Sequence, residues 1–387
     1  MPQSLLRHIH ASRIFHAIRL RPNMSQREIA RMAGADKSTV SAIVKNFEAS
    51  GLIERSLKAS ENRPGRPGER ISISSRGGLL VGVHPRPDEM RYVVSGLDGE
   101  PMRTLSRPLP EDTARLGSET AEGIAALVGS IGRTIHEIRA VGVSIPGLVS
   151  SDGILTQSPN LGWRNVPLRE ILRRSVRCPL YIDNNANAAA VAEFLFGRGV
   201  DVGDFAYVES GSGVGAGLFF DGSLYRGPGG FAGEFGHTKI VPQGRPCRCG
   251  GLGCVSAYAS DYSIMQRLQQ KGIKVDKRDQ VLALAHGGDP ATLGVLDEAG
   301  RHLGIGFSNL VNLLNVTLFI LGGGLEVFAP YMMSGIEQSL RDLSLPSALE
   351  GCRIERSGIG SHAEPRGGIA LALEGCTSLH ETEAAPW

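Results

Sequence analysis

Apolar residues near the N-terminus recur with the period of a helix. Ile29, Ala30 and Ala33, then Val40, Ile43, Val44 and Phe47, mark one stripe shared by two short segments. Ser25-Gln26-Arg27-Glu28 is an S-x-x-E capping box that opens a helix from Gln26 to about Ala33, and Gly34 ends it. Asp36 caps a second helix, Lys37 to about Ser50, with Gly51 as its stop. A preceding amphipathic segment, about Ser4 to Leu20, completes a three-helix core. Leu52–Leu57 and Glu69–Ile73 then read as strands flanking Asn62-Arg63-Pro64-Gly65-Arg66-Pro67. The pattern predicts a winged helix-turn-helix over residues 1–76. Ser74 to Gly78, small, polar and glycine-rich, is the expected joint to a body over residues 79–387.

In that body, short apolar runs alternate with longer amphipathic stretches. Strands are predicted at Leu79–Val83, Arg91–Leu97, Ile138–Ile145, Leu180–Asp183, Phe205–Glu209, Gly215–Phe220 and Leu318–Leu321. Helices are predicted near Glu119–Glu137, Asn185–Phe196, Ser256–Gln270, Ala291–Leu314 and Glu326–Leu343. The class is α/β, and the alternation accommodates two lobes. Glycine clusters fall at strand ends, where ligand-binding loops gather. They are Pro146-Gly147, Ser210 to Gly215, Gly229 to Glu234, and Gly322 to Gly324. Each alone is compatible with a simple turn.

Composition narrows the class. The 387 residues are 41% apolar, enough for two or three domains with real cores. No apolar run approaches the ~20 residues of a membrane span, and the first ten residues lack the apolar core of a signal peptide. The protein is expected in the cytoplasm. Its net charge of +2 is unevenly spread. Residues 1–76 carry 14 Lys+Arg against 6 Asp+Glu, a net of +8, and the remainder carries 27 against 33, a net of −6. A basic head on an acidic body points to double-stranded DNA as the N-terminal partner. Lys37, Ser38, Thr39, Ser41 and Lys45 start the second helix and are expected at the major groove. Arg66, in a stiff Pro-Gly-Arg-Pro tip, and Arg63 just ahead of it suit a flanking minor groove, with a solvated hairpin loop as the alternative.

Three of the six cysteines crowd into one glycine-rich loop: Cys247, Cys249 and Cys254, with His237 ten residues upstream. Four nitrogen and sulfur donors are the set of a closed, structural zinc site, one ion per chain. Three buried thiols and a satisfied histidine are the alternative reading. Cys178, Cys352 and Cys376 read as ordinary thiols in a reducing compartment rather than as a disulfide framework.

In chain order the motifs are P-G-L-V, S-P-N-L-G-W, I-D-N-N-A-N-A-A-A, S-G-S-G-V-G-A-G, G-G-F-A-G-E-F-G-H, C-R-C-G-G-L-G-C and I-L-G-G-G. That order resembles the ROK family of bacterial sugar-responsive repressors and sugar kinases, from about Leu79 to near Gly375. The N-terminal segment resembles the winged helix of the family's repressors, such as those of N-acetylglucosamine and xylose genes. The resemblance implies an actin-like, ribonuclease-H-like body of two lobes, and homodimers or tetramers. It also implies a sugar pocket lined by Gly147, Asn160, Asn184, Asn185, Glu234 and His237.

Two departures from the family's kinases stand out. Their first strand ends in an Asp-x-Gly-Gly-Thr phosphate loop, where this chain has His84-Pro85-Arg86-Pro87-Asp88. Their catalytic Asp corresponds to Asn185, and an amide cannot take a hydroxyl's proton at neutral pH. No ATP use and no catalysis are therefore expected. A third departure is Ser256 in place of a family Glu, which implies a larger, phosphorylated or otherwise atypical ligand. The reading is a DNA-binding regulator of carbohydrate genes, most simply a repressor, controlled by a sugar or sugar phosphate. An N-terminally extended sugar kinase, or a regulator answering to a protein partner, are the alternatives.

Overall fold

The computed structural model of the chain describes residues 3–57, 69–360, 363–378 and 385–387. It contains two compact units, one of Met1–Ile145, Val166–Asp183 and Pro365–Trp387, the other of Pro146–Asn165 and Asn184–Glu364.

The chain opens with α1 (Gln3–Leu20), α2 (Gln26–Ala33) and α3 (Lys37–Ala49), followed by β1 (Ile53–Leu57) and β2 (Glu69–Ile73). Both expected caps form. Ser25 and Glu28 make a reciprocal capping box on α2, and Gly34 takes the left-handed conformation that ends it. Ile14, Phe15, Ile18, Ile29, Val40, Ile43, Val44 and Phe47 are buried together as the three-helix core. Strands β1 and β2 pair antiparallel from Ile53↔Ile73 to Leu57↔Glu69. The segment between them, with Arg63 and Arg66, lies outside the described residues.

The body continues with β3 (Leu79–Pro85), β4 (Glu89–Ser95), β5 (Pro101–Pro108), α4 (Leu116–Gly129) and β6 (Ile138–Ile145). Short strands β7 (Leu148–Val149), β8 (Leu155–Ser158) and β9 (Trp163–Val166) precede α5 (Leu168–Arg173) and β10 (Leu180–Asn184), which runs into α6 (Asn185–Phe196). Next come β11 (Phe205–Ser210), β12 (Val214–Phe220), β13 (Ser223–Leu224), α7 (Ser256–Ala259), α8 (Asp261–Gln270), α9 (Arg278–His286) and α10 (Pro290–Leu314). The chain closes with β14 (Leu318–Gly322), α11 (Gly323–Leu343), α12 (Pro346–Leu349), β15 (Arg353–Arg356) and α13 (Ala363–Thr377). Among the described residues no helix is long and apolar enough to cross a membrane.

Each unit is built on a five-stranded sheet of the same plan. The first has the order β10-β6-β3-β4-β5, the second β13-β12-β11-β14-β15. In both, the central strand pairs antiparallel with its hairpin neighbour and parallel with the strand on its other side. Helix α13 lies directly on the first sheet. A Cβ at Gly142 would meet Gly368 O at 1.9 Å, so the two glycines let helix and strand backbones touch. In the second unit α10 crosses α11 equally closely, with Gly300 and Gly304 against Met332 and Ile336.

Some elements differ from the pattern reading. The helix expected over Glu119–Glu137 ends at Gly129, because Gly132 adopts a left-handed turn. The stretch Ser256–Gln270 is two helices. Ser260 is extended between them and its hydroxyl caps α8. Strand β4 sits two residues earlier than expected, since β3 runs through His84 and Pro85 into a tight turn closed by Arg86 N–H donating to Glu89 O at 2.7 Å.

Within the first unit the winged helix is tied to the body at two places. Around Ser74–Gly77, Arg139 Nε donates to Gly77 O at 3.1 Å and Arg133 to Ser75 O at 3.4 Å. At α1, the Ser12 hydroxyl donates to Thr377 O at 2.6 Å, at the end of α13. His16 is half-buried, and desolvation pushes its pKa down to about 3. Arg19 Nε donates to its Nδ1, so the neutral ring donates from Nε2 to Thr377 Oγ1 at 2.9 Å. Trp387 then packs its ring against His8, Phe15 and Phe47, with centroids 5.5, 5.7 and 5.6 Å apart. Trp387→Ala should destabilise the winged helix by ~1–3 kcal/mol, the worth of a large, partly buried aromatic. Hydrogen exchange of α1 and α3 checks this. Unchanged protection would mean that the tail contributes nothing.

Candidate functional site

The cysteine loop is shaped by its glycines. Gly250 and Gly253 have positive φ, and a Cβ at Gly253 would lie 1.8 Å from Val241 O. Gly250 N–H donates to Cys247 O at 2.9 Å, Cys247 N–H to Gly251 O at 2.8 Å, and Ile240 N–H to Gly253 O at 2.9 Å. The loop thus folds back on the segment after His237. The donor atoms of His237, Cys247, Cys249 and Cys254 all lie within 4.8 Å of one another. Cys249 Sγ and Cys254 Sγ are 3.7 Å apart, as are Cys247 Sγ and His237 Nδ1. A tetrahedral zinc with Zn–S bonds of ~2.3 Å needs sulfurs ~3.8 Å apart, so the set fits the ion. Lys239 Nζ lies 2.7 Å from Cys254 Sγ, where it would offset the surplus charge of three thiolates around such an ion.

His237 joins this cluster to a polar surface. Its Nδ1 faces the sulfurs, and its Nε2 lies 4.0 Å from Glu234 Oε2. Burial pushes the Glu234 carboxyl up. Elsewhere in the same unit, Asn160 Oδ1 accepts from the Ser212 hydroxyl at 2.9 Å. Gly147 has a φ of 130°, and a Cβ there would meet Gln157 O at 2.4 Å. Asn184 caps α6, its Oδ1 accepting from Asn187 N–H at 2.7 Å. Asn185, half-buried, donates from Nδ2 to Glu209 Oε1. Glu209, next to last in β11, also accepts from the Tyr207 hydroxyl at 3.0 Å. Pattern reading missed Glu209, because one Glu before a Ser-Gly turn looks like a solvated strand end. Ser256 is buried and its Oγ accepts from Val214 N–H at 3.0 Å, so it braces the 210–215 loop rather than opening space.

Helix α3 presents a separate surface. Lys37, Ser38, Ser41 and Lys45 are exposed along one stripe, with Thr39 half-buried beside it. Asn46, not anticipated, continues the stripe. The Ser38 hydroxyl donates to Asp36, and the Thr39 hydroxyl does so at 2.6 Å, while Asp36 also accepts Thr39 N–H at 2.9 Å. These donors pull the Asp36 carboxyl well below its usual range. Both hydroxyls keep lone pairs to accept from base-edge amines.

Compared with family models, residues 85–374 match the ROK family and residues 7–62 the MarR family. The chain belongs to the ROK family. Among its relatives, a xylose repressor of Caldicellulosiruptor bescii is 28% identical over 98% of both chains. A glucokinase of Streptomyces coelicolor is 31% identical, covering 68% of this chain and 87% of its own. A solved ROK family transcriptional regulator, a homologue of the E. coli MLC protein, aligns with a TM-score of 0.82 over 96% of each chain. Its identity is 24%, and the likeness establishes the fold.

Two segments of this ROK chain bear on phosphoryl transfer. Strand β3 continues through His84 and Pro85, pairing His84↔Arg91 and Pro85↔Met90, where a phosphate loop would leave the sheet. The His84 ring is buried, its Nδ1 2.8 Å from Ser144 O. At the start of α6, Asn185, an amide rather than a carboxylate, is already engaged with Glu209.

Proposed function

We propose that this ROK protein is a sequence-specific DNA-binding regulator, a repressor of carbohydrate-metabolism genes, whose operator affinity is set by a sugar ligand. The observation that carries the reading is the exposed stripe of α3, in a capped winged helix continuous with a ROK body. Lys37, Ser38, Thr39, Ser41 and Lys45 meet the major groove, and Arg63 and Arg66 the flanking minor groove. Lys37 and Lys45 neutralise phosphates, while the short hydroxyl side chains read base edges. Two copies on a roughly palindromic site match the two-fold logic of helix-turn-helix regulators.

Gly147, Asn160, Asn184, Asn185, Glu234 and His237 form the sugar site in this reading. Amides and a carboxylate suit hydroxyls that both donate and accept. His237, Cys247, Cys249 and Cys254 hold one structural zinc, and the ion locks the His237 ring with Nε2 turned toward the ligand side. The names of the xylose repressor and its kin support the regulatory role.

No phosphoryl transfer is expected, because the β3–β4 hairpin offers no phosphate cradle and Asn185 cannot act as base. A coupled assay with ATP and a panel of hexoses, pentoses and amino sugars checks this. Turnover at ordinary kinase rates, ~1–100 per second, would favour the extended-kinase reading instead. Mobility-shift titrations on DNA flanking the protein's own gene test the other half, with a protein partner as the remaining controller if sugars have no effect.

A further inference from the structure

The Asn185 amide does not stand alone. Glu209, at the end of β11, has both carboxylate oxygens engaged, Oε1 by Asn185 Nδ2 and Oε2 by the Tyr207 hydroxyl at 3.0 Å. Tyr207 is fully buried. Burial first, and Glu209 next, hold its phenol far above the usual range, so it stays protonated and donates. Its hydroxyl fits there because the neighbouring strand has Gly322, where a Cβ would lie 2.0 Å away. Glu209 is thus built in, gripped from two residues back on its own strand and from the first residue of α6.

This grip decides which atom Asn185 shows to a ligand. An ionised carboxylate only accepts, so the amide must turn its NH₂ toward Glu209. The Oδ1 atom is left as an acceptor, with a negative charge directly behind it. The N-terminus of a helix ordinarily draws an anion. At α6 the chain supplies its own, since Glu209 bonds the first residue and Asn184 Oδ1 caps Asn187 N–H.

We propose that Glu209 is a specificity-determining residue that makes the site select a free sugar hydroxyl and reject its phosphate ester. The proposal rests on the sugar-site reading of Asn185, and it names the ligand class: a neutral, unphosphorylated sugar. A hydroxyl opposite Asn185 donates to Oδ1. A phosphate in that place, carrying roughly −1.5 to −2 charges at neutral pH, has largely lost the proton it would donate there and meets the Glu209 charge. Specificity of this kind comes from a built-in repulsion as well as from a fit.

The test uses the full chain in titration calorimetry with matched pairs: glucose and glucose 6-phosphate, N-acetylglucosamine and its 6-phosphate, mannose and its 6-phosphate. The expected result is that the neutral member of at least one pair binds, at least ~50-fold tighter than its ester. Glu209→Gln keeps the shape, removes the charge and frees the amide to turn, so it should shrink that ratio to under ~5-fold. Should that variant fold poorly, the wild-type ratio by itself still decides the charge argument. Equal or tighter binding of a 6-phosphate, or an unchanged ratio in Glu209→Gln, overturns the proposal while leaving a sugar site in place. If no member of any pair binds, the proposal falls together with the sugar-site reading.

Discussion

Replacing Cys249 by Ser is expected to abolish stoichiometric zinc and to lower the melting temperature by roughly 10 °C. The size follows from the coupling of metal binding to folding. Loss of ~3–5 kcal/mol, a fraction of the apparent binding energy of a structural zinc, moves the midpoint by ~2–4 °C per kcal/mol in a unit of this size. Cys249 is the informative position because it is exposed, whereas Cys254 is fully buried. Its replacement leaves no cavity, so a large effect reports the metal rather than lost packing. Chelator should bring the wild-type protein down to the variant's midpoint and leave the variant unchanged. Metal analysis of purified protein that finds no zinc, or a wild-type midpoint indifferent to chelator, would remove the ion from the structure.

The second large effect is an uncoupling. Glu234→Ala should leave operator affinity within about twofold and remove the sugar response. Glu234 and His237 stand side by side, their side chains 39% and 42% exposed, so the substitution opens no core. The carboxylate is the strongest acceptor among the proposed ligand contacts, and a hydrogen bond to a charged group is worth ~1.5–3 kcal/mol. Its loss weakens the sugar by roughly 10- to 150-fold. The helices proposed to contact DNA lie in the other compact unit and keep their own core. Titrating the variant with DNA, in the presence and absence of sugar, checks both halves. A variant that stays folded but no longer binds DNA, or still responds fully to sugar, would exclude Glu234 from the ligand site.

Much of the fold was legible because local chemistry and global packing agree. The capping box at Ser25, the Asp36 cap, strand β6 and helix α6 fall where the pattern puts them. Strand β5 escaped because every residue of Pro101–Pro108 is exposed or half-exposed, so no buried face marks it. Helix α13 escaped for the opposite reason. Its glycines read as helix breakers, yet Gly368 is what lets the helix lie against β6. The crowding of Cys247, Cys249 and Cys254 was visible since their spacing alone brings them together. Glu209 was not, because its meaning arises only when β11 brings it beside Asn185. The contact of Trp387 with Phe15 and Phe47 joins the two ends of the chain, which no local pattern records.

The most direct measurement is fluorescence anisotropy of the full chain on labelled duplex DNA from upstream of its own gene. It is read with and without xylose, glucose and N-acetylglucosamine. Saturable binding at least ~10³-fold tighter than on unrelated duplex is expected, with one sugar shifting that affinity by about 5- to 150-fold. Binding no tighter than on unrelated DNA, together with ATP-dependent phosphorylation of one of these sugars, would contradict it.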